Sequence, residues 1–153
     1  MISFKEYLLE IYKSIDPKMP KHGAGLGIKR ADMPQVASKD YDDYLKFLKK
    51  HGVTLKLGKE KASKLKPIQK EFSHQGVKIS MGKTLKHIGD KQLFKKPIIV
   101  SKDGYIIDGH HRWLAHKNMK TDLHTLRANV NMKELLTFTK QFPKTTYKDI
   151  YTK

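Results

Sequence analysis

The 153-residue sequence contains no cysteine. Disulfide bonds, zinc sites built on thiolates and cysteine nucleophiles are therefore excluded. No stretch approaches the roughly 18 consecutive apolar residues that a membrane span requires. The first residues, Met1 to Glu6, lack the charged-then-apolar order of a secretory signal peptide. These absences predict a protein that has no membrane partner and works in the cytoplasm.

Acidic residues are scarce beside basic ones. There are 15 Asp and Glu against 32 Lys and Arg, which gives a net charge of +17. Residues 1–60 carry twelve basic and eight acidic side chains, net +4, and residues 61–153 carry twenty and seven, net +13. Such an excess opposes compaction unless an anion is near. A polyphosphate partner such as DNA fits, because lysine and arginine release its counterions. The alternative is a solubilising lysine surface without a partner.

The spacing of apolar residues predicts an α+β fold, with a small mixed β-sheet surrounded by helices and a helical N-terminal extension. Ser3 and Glu6 have capping-box spacing at the start of the first helix. Residues 17–37 are rich in proline and glycine and predict a flexible loop. The predicted helices are 3–15, 38–51, 84–88, 111–118 and 132–140. The predicted strands are 53–57, 65–69, 97–101, 105–107 and 124–130.

The motif Asp108-Gly109-His110-His111-Arg112 follows a predicted hairpin and opens a predicted helix. The unpaired N–H groups and the dipole at a helix N-terminus favour an anion. Gly109 allows the backbone to approach a phosphate closely, and Arg112 offers a bidentate fork to phosphate oxygens. Because histidine and arginine are otherwise unfavourable at a helix N-terminus, the motif predicts an anion-binding turn.

Each motif residue also has a structural interpretation. Asp108 is either a plain N-cap or the ligand of a divalent ion that bridges phosphates. His110 and His111 are either exposed or hydrogen-bonded structural residues, or they donate to phosphate, bind metal or transfer protons. Trp113 and Leu114 favour a core position. The occurrence of all these groups on one turn favours the functional interpretation.

Residues 97–115 resemble the second conserved box of the ParB/sulfiredoxin superfamily, in which a strand, a turn and a strand lead to a phosphate-binding turn. Residues 65–71 resemble its first box. The resemblance implies a ParB/sulfiredoxin-like domain at 61–145, after an N-terminal extension with a Gly/Pro-rich loop at 1–60 and before a basic tail at 146–153. It implies that phosphate is bound by Gly109, His110, His111 and Arg112. It places Glu71 near the first-box acid and matches Asp108 to a kinase-like variant.

Members of the superfamily include partition proteins that bind nucleoside triphosphate and DNA, sulfiredoxin, a free-serine kinase and ParB-like proteins with DNase activity. Sulfiredoxin chemistry is excluded, because it requires a cysteine where this chain has His110. The overall style of the chain is similar to that of bacteriophage proteins. Its expected location is then the cytoplasm of the host cell.

We therefore expect a ParB-like nuclease that hydrolyses DNA phosphodiester bonds with Mg²⁺ or Mn²⁺ bound at Asp108. The expected catalytic residues are Asp108, His110, His111 and Glu71, and the expected DNA contacts are Lys95, Lys96, Lys102 and Lys117. One alternative is a phosphotransferase or nucleoside-triphosphatase that binds ATP or CTP. Another is a non-catalytic DNA-binding module. The sequence leaves open whether the DNA is single- or double-stranded, and it leaves the oligomeric state open.

Overall fold

The computed structural model describes Ser3, Glu6, Tyr7, residues 17–19, 25–69, Phe72, 74–86 and 97–148. Within these residues the chain forms one five-stranded mixed sheet and four α-helices. The predicted α+β class with a small mixed sheet is confirmed. The predicted domain boundary at residue 60 lies within the first strand.

The sheet is mixed, because two of its four pairs of neighbouring strands are antiparallel and two are parallel. The strands are β1 (Leu55–Lys61), β2 (Lys66–Pro67), β3 (Ile98–Val100), β4 (Tyr105–Ile106) and β5 (Asp122–Ala128), in the order β1-β5-β3-β4-β2. The pairs β1–β5 and β3–β4 are antiparallel, and β3–β5 and β2–β4 are parallel. All five predicted strands are present. Strand β1 extends further than predicted, because its lysine-rich end pairs with β5 as far as Lys61 and Asp122.

The helices are α1 (Tyr41–Lys50), α2 (His74–Lys86), α3 (His110–Met119) and α4 (Met132–Gln141). The predictions for α1, α3 and α4 agree within a few residues. Only the end of α2 was predicted, because glycines at positions 76 and 82 lower its helix propensity. Among the helices that the structure describes, none has the length and apolar character needed to span a bilayer.

The predicted capping box at the N-terminus is present. The Glu6 N–H donates to Ser3 Oγ at 3.1 Å, and the Ser3 N–H donates to Glu6 Oε2 at 3.2 Å. Glu6 and Tyr7 are helical. Most of the predicted helix 3–15 lies outside the described residues.

The sheet is the middle layer of three. Along β3, Ile98 and Val100 face one side and Ile99 faces the other, as the two-residue period of a strand requires. Helices α2 and α3 cover the first side, and α1 and α4 cover the second. Because both faces are covered, β3 is a continuous apolar run. The first side buries Ala62, Leu65, Val77, Met81, Ile98, Val100, Ile106, Trp113, Leu114, Ala115 and Leu123, and the second buries Met33, Tyr41, Tyr44, Leu48, Val53, Ile68, Ile99, Ile107, Ala128, Met132, Leu135 and Phe142.

Residues 25–37 have no long element, but they are attached to the edge of the sheet rather than being a free loop. The Leu26 N–H donates to Pro67 O at 3.2 Å, and the Ile28 N–H donates to Ile68 O at 2.9 Å. A side chain at Gly25 would place its Cβ only 1.9 Å from Pro67 O, so this approach requires glycine. The prediction of a flexible loop therefore differs from the structure over these residues.

The start of the predicted basic tail is likewise attached. Gln35 and Thr146 exchange two backbone hydrogen bonds, at 2.9 and 2.8 Å. The Gln35 side-chain amide donates to Lys148 O at 2.6 Å. Residues 149–153 lie outside the described residues. These bonds hold two segments that are distant in sequence beside each other.

Asp103 in the β3–β4 turn caps α4 from a distance. Its Oδ1 accepts a hydrogen bond from the Met132 N–H at 2.9 Å and another from Ser101 Oγ. We expect Asp103→Ala to lower the free energy of unfolding by about 1–2 kcal/mol, because a helix cap is lost and a buried donor is left unpaired. Denaturant unfolding checks this, with Asp32→Ala at an exposed position as control. Equal unfolding free energies for the two variants would contradict it.

Candidate functional site

The turn between β4 and α3 depends on one glycine. Gly109 has φ +86° and ψ +30°, the left-handed region, and it is the N-cap residue of α3. A Cβ at this position would lie 3.0 Å from Ile98 Cγ1 and 3.2 Å from Arg112 Nη2. Because Gly109 rather than Asp108 occupies the N-cap position, Asp108 is not a plain N-cap. The turn brings Asp108 and the first turn of α3 to one cleft.

The cleft has a volume of about 330 Å³. The cationic groups Arg30, Arg112 and Lys148 line it together with the carboxylate of Asp108. The segment at residues 30–38 and the segment at 146–148 form its walls beside the start of α3. Its other lining residues are Met33, Gln35, Val36, Ala37, Ser38, Gln69, Ile107, Gly109, His110, His111 and Thr146.

Asp108 and Arg112 form the charged centre of the cleft. Burial lowers the pKa of Arg112, and the negative charge of Asp108 opposes that shift. Burial, with Asp108 as the second cause, raises the pKa of Tyr41 to about 12. The Tyr41 hydroxyl stays protonated and donates to Pro97 O at 2.9 Å. Arg112 is half-buried, and in such surroundings the attraction between a cation and an anion is stronger than in water.

His110 is 3% exposed and joins α3 to the chain after β2. Its Nε2 accepts hydrogen bonds from the Ile68 N–H at 3.0 Å and the Gln69 N–H at 3.3 Å. Burial, followed by the charges of His111 and Arg30, lowers its pKa to about 3. The ring is neutral with its proton on Nδ1. A catalytic role or a metal bond at Nε2 would require both backbone bonds to break.

His111 lies between α2 and the segment that carries Arg30. Its Nδ1 is 3.4 Å from Arg30 Nη1, and a Cβ at Gly76 would lie 3.0 Å from its Cδ2. The centres of the Phe72 and His111 rings are 5.7 Å apart. Burial, with the Arg30 charge second, lowers the pKa of His111 to about 4. A neutral His111 accepts at Nδ1 from the Arg30 guanidinium.

The cleft brings together all five residues of the motif at 108–112. Lys102 and Lys117 do not line it: Lys102 follows β3 in the hairpin turn, and Lys117 is near the C-terminal end of α3. Among the described residues, no three His, Cys, Asp or Glu side chains form a group that could hold a metal ion. The predicted residues Glu71, Lys95 and Lys96 lie outside the described residues.

Sequence reasoning missed Arg30 and Lys148. The chain has only three arginines among its 32 basic residues, and two of them, Arg30 and Arg112, line this cleft. The third, Arg127, is paired with Glu60 across β1 and β5. Since arginine is the cation that suits bidentate phosphate recognition, its rarity in a lysine-rich chain was an available signal for Arg30.

Acid is expected to destabilise the fold through its buried histidines. Burial and Arg112 lower the pKa of His116 to about 4, and burial lowers that of His110 to about 3. Below pH 6.5 the unfolded chain therefore binds more protons than the folded chain. The free energy of unfolding is highest above pH 6.5 and decreases as the pH falls toward 4 and 3. The slope is at most about 1.4 kcal/mol per pH unit for each histidine.

Thermal unfolding at pH 7.5, 6 and 5 checks this expectation. Tm should fall over this series in the native chain and fall less in His116→Gln. His51→Gln, at an exposed position, is the matched control and should follow the native chain. A Tm that is constant from pH 7.5 to 5 would contradict the expected role of the buried histidines.

The cleft therefore combines two arginines, a lysine and one carboxylate around the start of a ten-residue helix. Such a group of cations is suited to an anion with several oxygens, such as phosphate. The single carboxylate is suited to a divalent cation bound together with that anion. Comparison of the chain with family models, curated proteins and solved structures gives no match.

Proposed function

We propose that the protein is a nuclease with a ParB/sulfiredoxin-like fold, which hydrolyses DNA phosphodiester bonds in the cleft at Asp108 and Arg112. The observation that carries the proposal is the convergence of two of the three arginines with Asp108 at a glycine-opened helix start. The net charge of +17 supports a polyanionic substrate.

Phosphate binding is supported by the charges and by the neutral histidines. Arg30 and Arg112 both line the cleft, and a guanidinium group is able to bind two phosphate oxygens. Neutral His110 fixes the helix start without adding charge. The dipole of α3 adds a partial positive charge at the same end. A phosphodiester group is therefore favoured in the cleft.

A divalent cation fits the site in part. Magnesium is often held by only one or two carboxylates, with substrate phosphate and water completing its shell. Asp108 is the carboxylate that would hold Mg²⁺ or Mn²⁺ here. The ion would neutralise phosphate charge and activate water.

In the hydrolysis, water adds to phosphorus, one ester P–O bond breaks, and the leaving oxygen takes a proton. Arg30 and Arg112 stabilise the negative charge that develops on the phosphate oxygens. A phosphate that takes over the Arg30 hydrogen bond would release His111 Nδ1, and its negative charge would raise the pKa of that ring. His111 is then able to take a proton at this atom and to return it to the leaving oxygen.

Incubation of the purified full chain with supercoiled plasmid and Mg²⁺ or Mn²⁺ tests the proposal. We expect nicking by the native protein, loss of nicking in Asp108→Asn, and unchanged nicking in Asp32→Asn, which makes the same change of charge at an exposed position. The proposal is abandoned if the plasmid stays intact with every metal, or if Asp108→Asn nicks as fast as the native chain.

The size of the cleft favours a second candidate, a phosphotransferase or nucleoside-triphosphatase. A volume of about 330 Å³ is typical of a small-molecule site. The walls at residues 30–38 and 146–148 enclose a space large enough for the phosphates of a single nucleotide. A ligand at 100 times its Kd stabilises the fold by about 2.7 kcal/mol. Thermal shift with millimolar ATP or CTP should then raise Tm, and an unchanged Tm would remove this candidate.

A further inference from the structure

A second depression lies at the C-terminal end of α3, whereas the cleft lies at its N-terminal end. Its volume is about 230 Å³. Three lysines from different parts of the fold line it: Lys61 ends β1, Lys117 is in the last turn of α3, and Lys120 follows that helix. The proposed hydrolysis does not use this depression.

Lys120 has an unusual backbone. Its φ is +55° and its ψ is +41°, and it is the one non-glycine residue with positive φ in the part of the chain that the structure describes. The Thr121 N–H donates to His116 O at 3.0 Å, as at a left-handed helix end. Glycine or asparagine normally occupies such a position. Lysine is strained there, so the position carries a side chain that the backbone itself disfavours.

The lining of the depression suits an anion with several oxygens. Ser63 and Thr121 add hydroxyl-bearing side chains to the three lysines, and Asp122 is the one carboxylate among the lining residues. His116 also lines the depression and is neutral, because burial lowers its pKa to about 4, and its Nδ1 is hydrogen-bonded to Thr121 Oγ1 at 2.8 Å. A phosphate group matches this combination of cations and hydroxyls.

Compensation of the helix dipole does not account for the whole group. Lysines in the last turn of a helix stabilise its negative end, which explains Lys117. Dipole compensation does not explain the presence of Lys61, which belongs to β1, or of a strained lysine at position 120. The Lys117 ammonium lies 5.3 Å from the centre of the Trp113 ring, which holds its position.

We propose that this depression is a second phosphate site, which binds a backbone phosphate of the DNA strand outside the cleavage cleft. The identity of the ligand as DNA rests on the proposed function. Helix α3 has ten residues and so separates the two sites by about 15 Å. One strand of a duplex carries a phosphate for every ~3.4 Å of helix axis, so a few nucleotides cover this distance. A single short segment of DNA is long enough to reach both sites.

Binding of a fluorescent DNA oligonucleotide to the full chain, titrated by anisotropy in EDTA at several salt concentrations, tests the site. Lys61→Ala and Lys120→Gly should each weaken binding about eightfold at 0.1 M salt and lower the salt slope by about one, since each removes one phosphate contact. Lys133→Ala, exposed on α4, is the matched control and should change neither quantity. The proposed site is wrong if both test variants bind DNA with native affinity, or if the control variant loses as much DNA affinity as they do.

The strain at position 120 gives an independent readout. Lys120→Gly should keep Tm or raise it by about 2–4 °C while DNA binding weakens. Weaker binding in a more stable protein cannot be caused by unfolding. If Tm falls instead, the strain argument is wrong, and Lys61→Ala decides the site alone.

Cleavage of a small diester, bis(4-nitrophenyl) phosphate, separates this inference from the proposed function. The small diester needs only the cleft, so Lys120→Gly should cleave it at the native rate. If the lysine variants lose DNA affinity but the native chain cleaves no diester, the nuclease proposal fails and the second site stands. If cleavage occurs and both variants bind DNA normally, the second site fails alone. If the lysine variants bind ATP more weakly but bind DNA as tightly as the native chain does, DNA is not the ligand of the second site.

Discussion

Replacement of Arg112 by alanine is expected to lower the rate of DNA nicking by about 10²–10³-fold, the usual effect of removing one donor to a developing oxyanion. Arg112 lies in the first turn of α3, lines the cleft and is close enough to Asp108 for the carboxylate to favour its charged form. Arg112→Lys should restore little activity, because an ammonium group lacks the planar fork. Initial rates on supercoiled plasmid measure the effect.

Arg127→Ala is the matched control for this prediction. It removes the same charge from the chain, but Arg127 pairs with Glu60 on β1 and β5, and it does not line the cleft. Its nicking rate should stay within a few-fold of the native rate. Thermal unfolding of all three variants shows whether they are folded. An Arg112→Ala protein that is folded and nicks at the native rate would contradict the role of Arg112.

The sheet could be predicted because its strands carry local signals. The apolar run at 97–101, the Asp-Gly turn at 103–104 and the short strand after it are contiguous, so the β3–β4 hairpin needs no long-range information. The same holds for the turn at Gly109, where glycine marks a left-handed residue directly before a helix. The residues of the motif therefore meet in space because they are neighbours in sequence.

The walls of the cleft could not be predicted in this way. Arg30 is placed by backbone bonds from Leu26 and Ile28 to the segment 67–68, and Lys148 by bonds to Gln35. These partners are between 40 and 113 positions apart, and neither segment has a helical or strand period. Backbone pairing of this kind leaves no pattern in the side chains. The sequence therefore indicated a loop and a tail where the structure has two walls.

The part played by His110 also depends on distant backbone. The sequence left a structural interpretation open beside acid–base catalysis and metal binding. The N–H groups of Ile68 and Gln69 both donate to His110 Nε2 and thereby favour a positioning role. Nothing in the spacing of the motif distinguishes these functions, because the two donors lie more than 40 positions earlier in the chain.

Trp113→Ala is expected to lower the free energy of unfolding by about 3–5 kcal/mol, the usual range for removing a large buried aromatic side chain. Trp113 is 1% exposed, and its Nε1 donates to Ala62 O at 2.8 Å. Since a domain is stable by only about 5–15 kcal/mol, much of the native stability would be lost. Urea unfolding measures the change. Trp113→Phe should cost less, because it keeps most of the ring volume and loses mainly the hydrogen bond.

The same helix carries Arg112, so a loosened α3 should also weaken anion binding in the cleft. Native stability in Trp113→Ala would contradict the packing of α3 on the sheet, and with it the fixed position of Arg112.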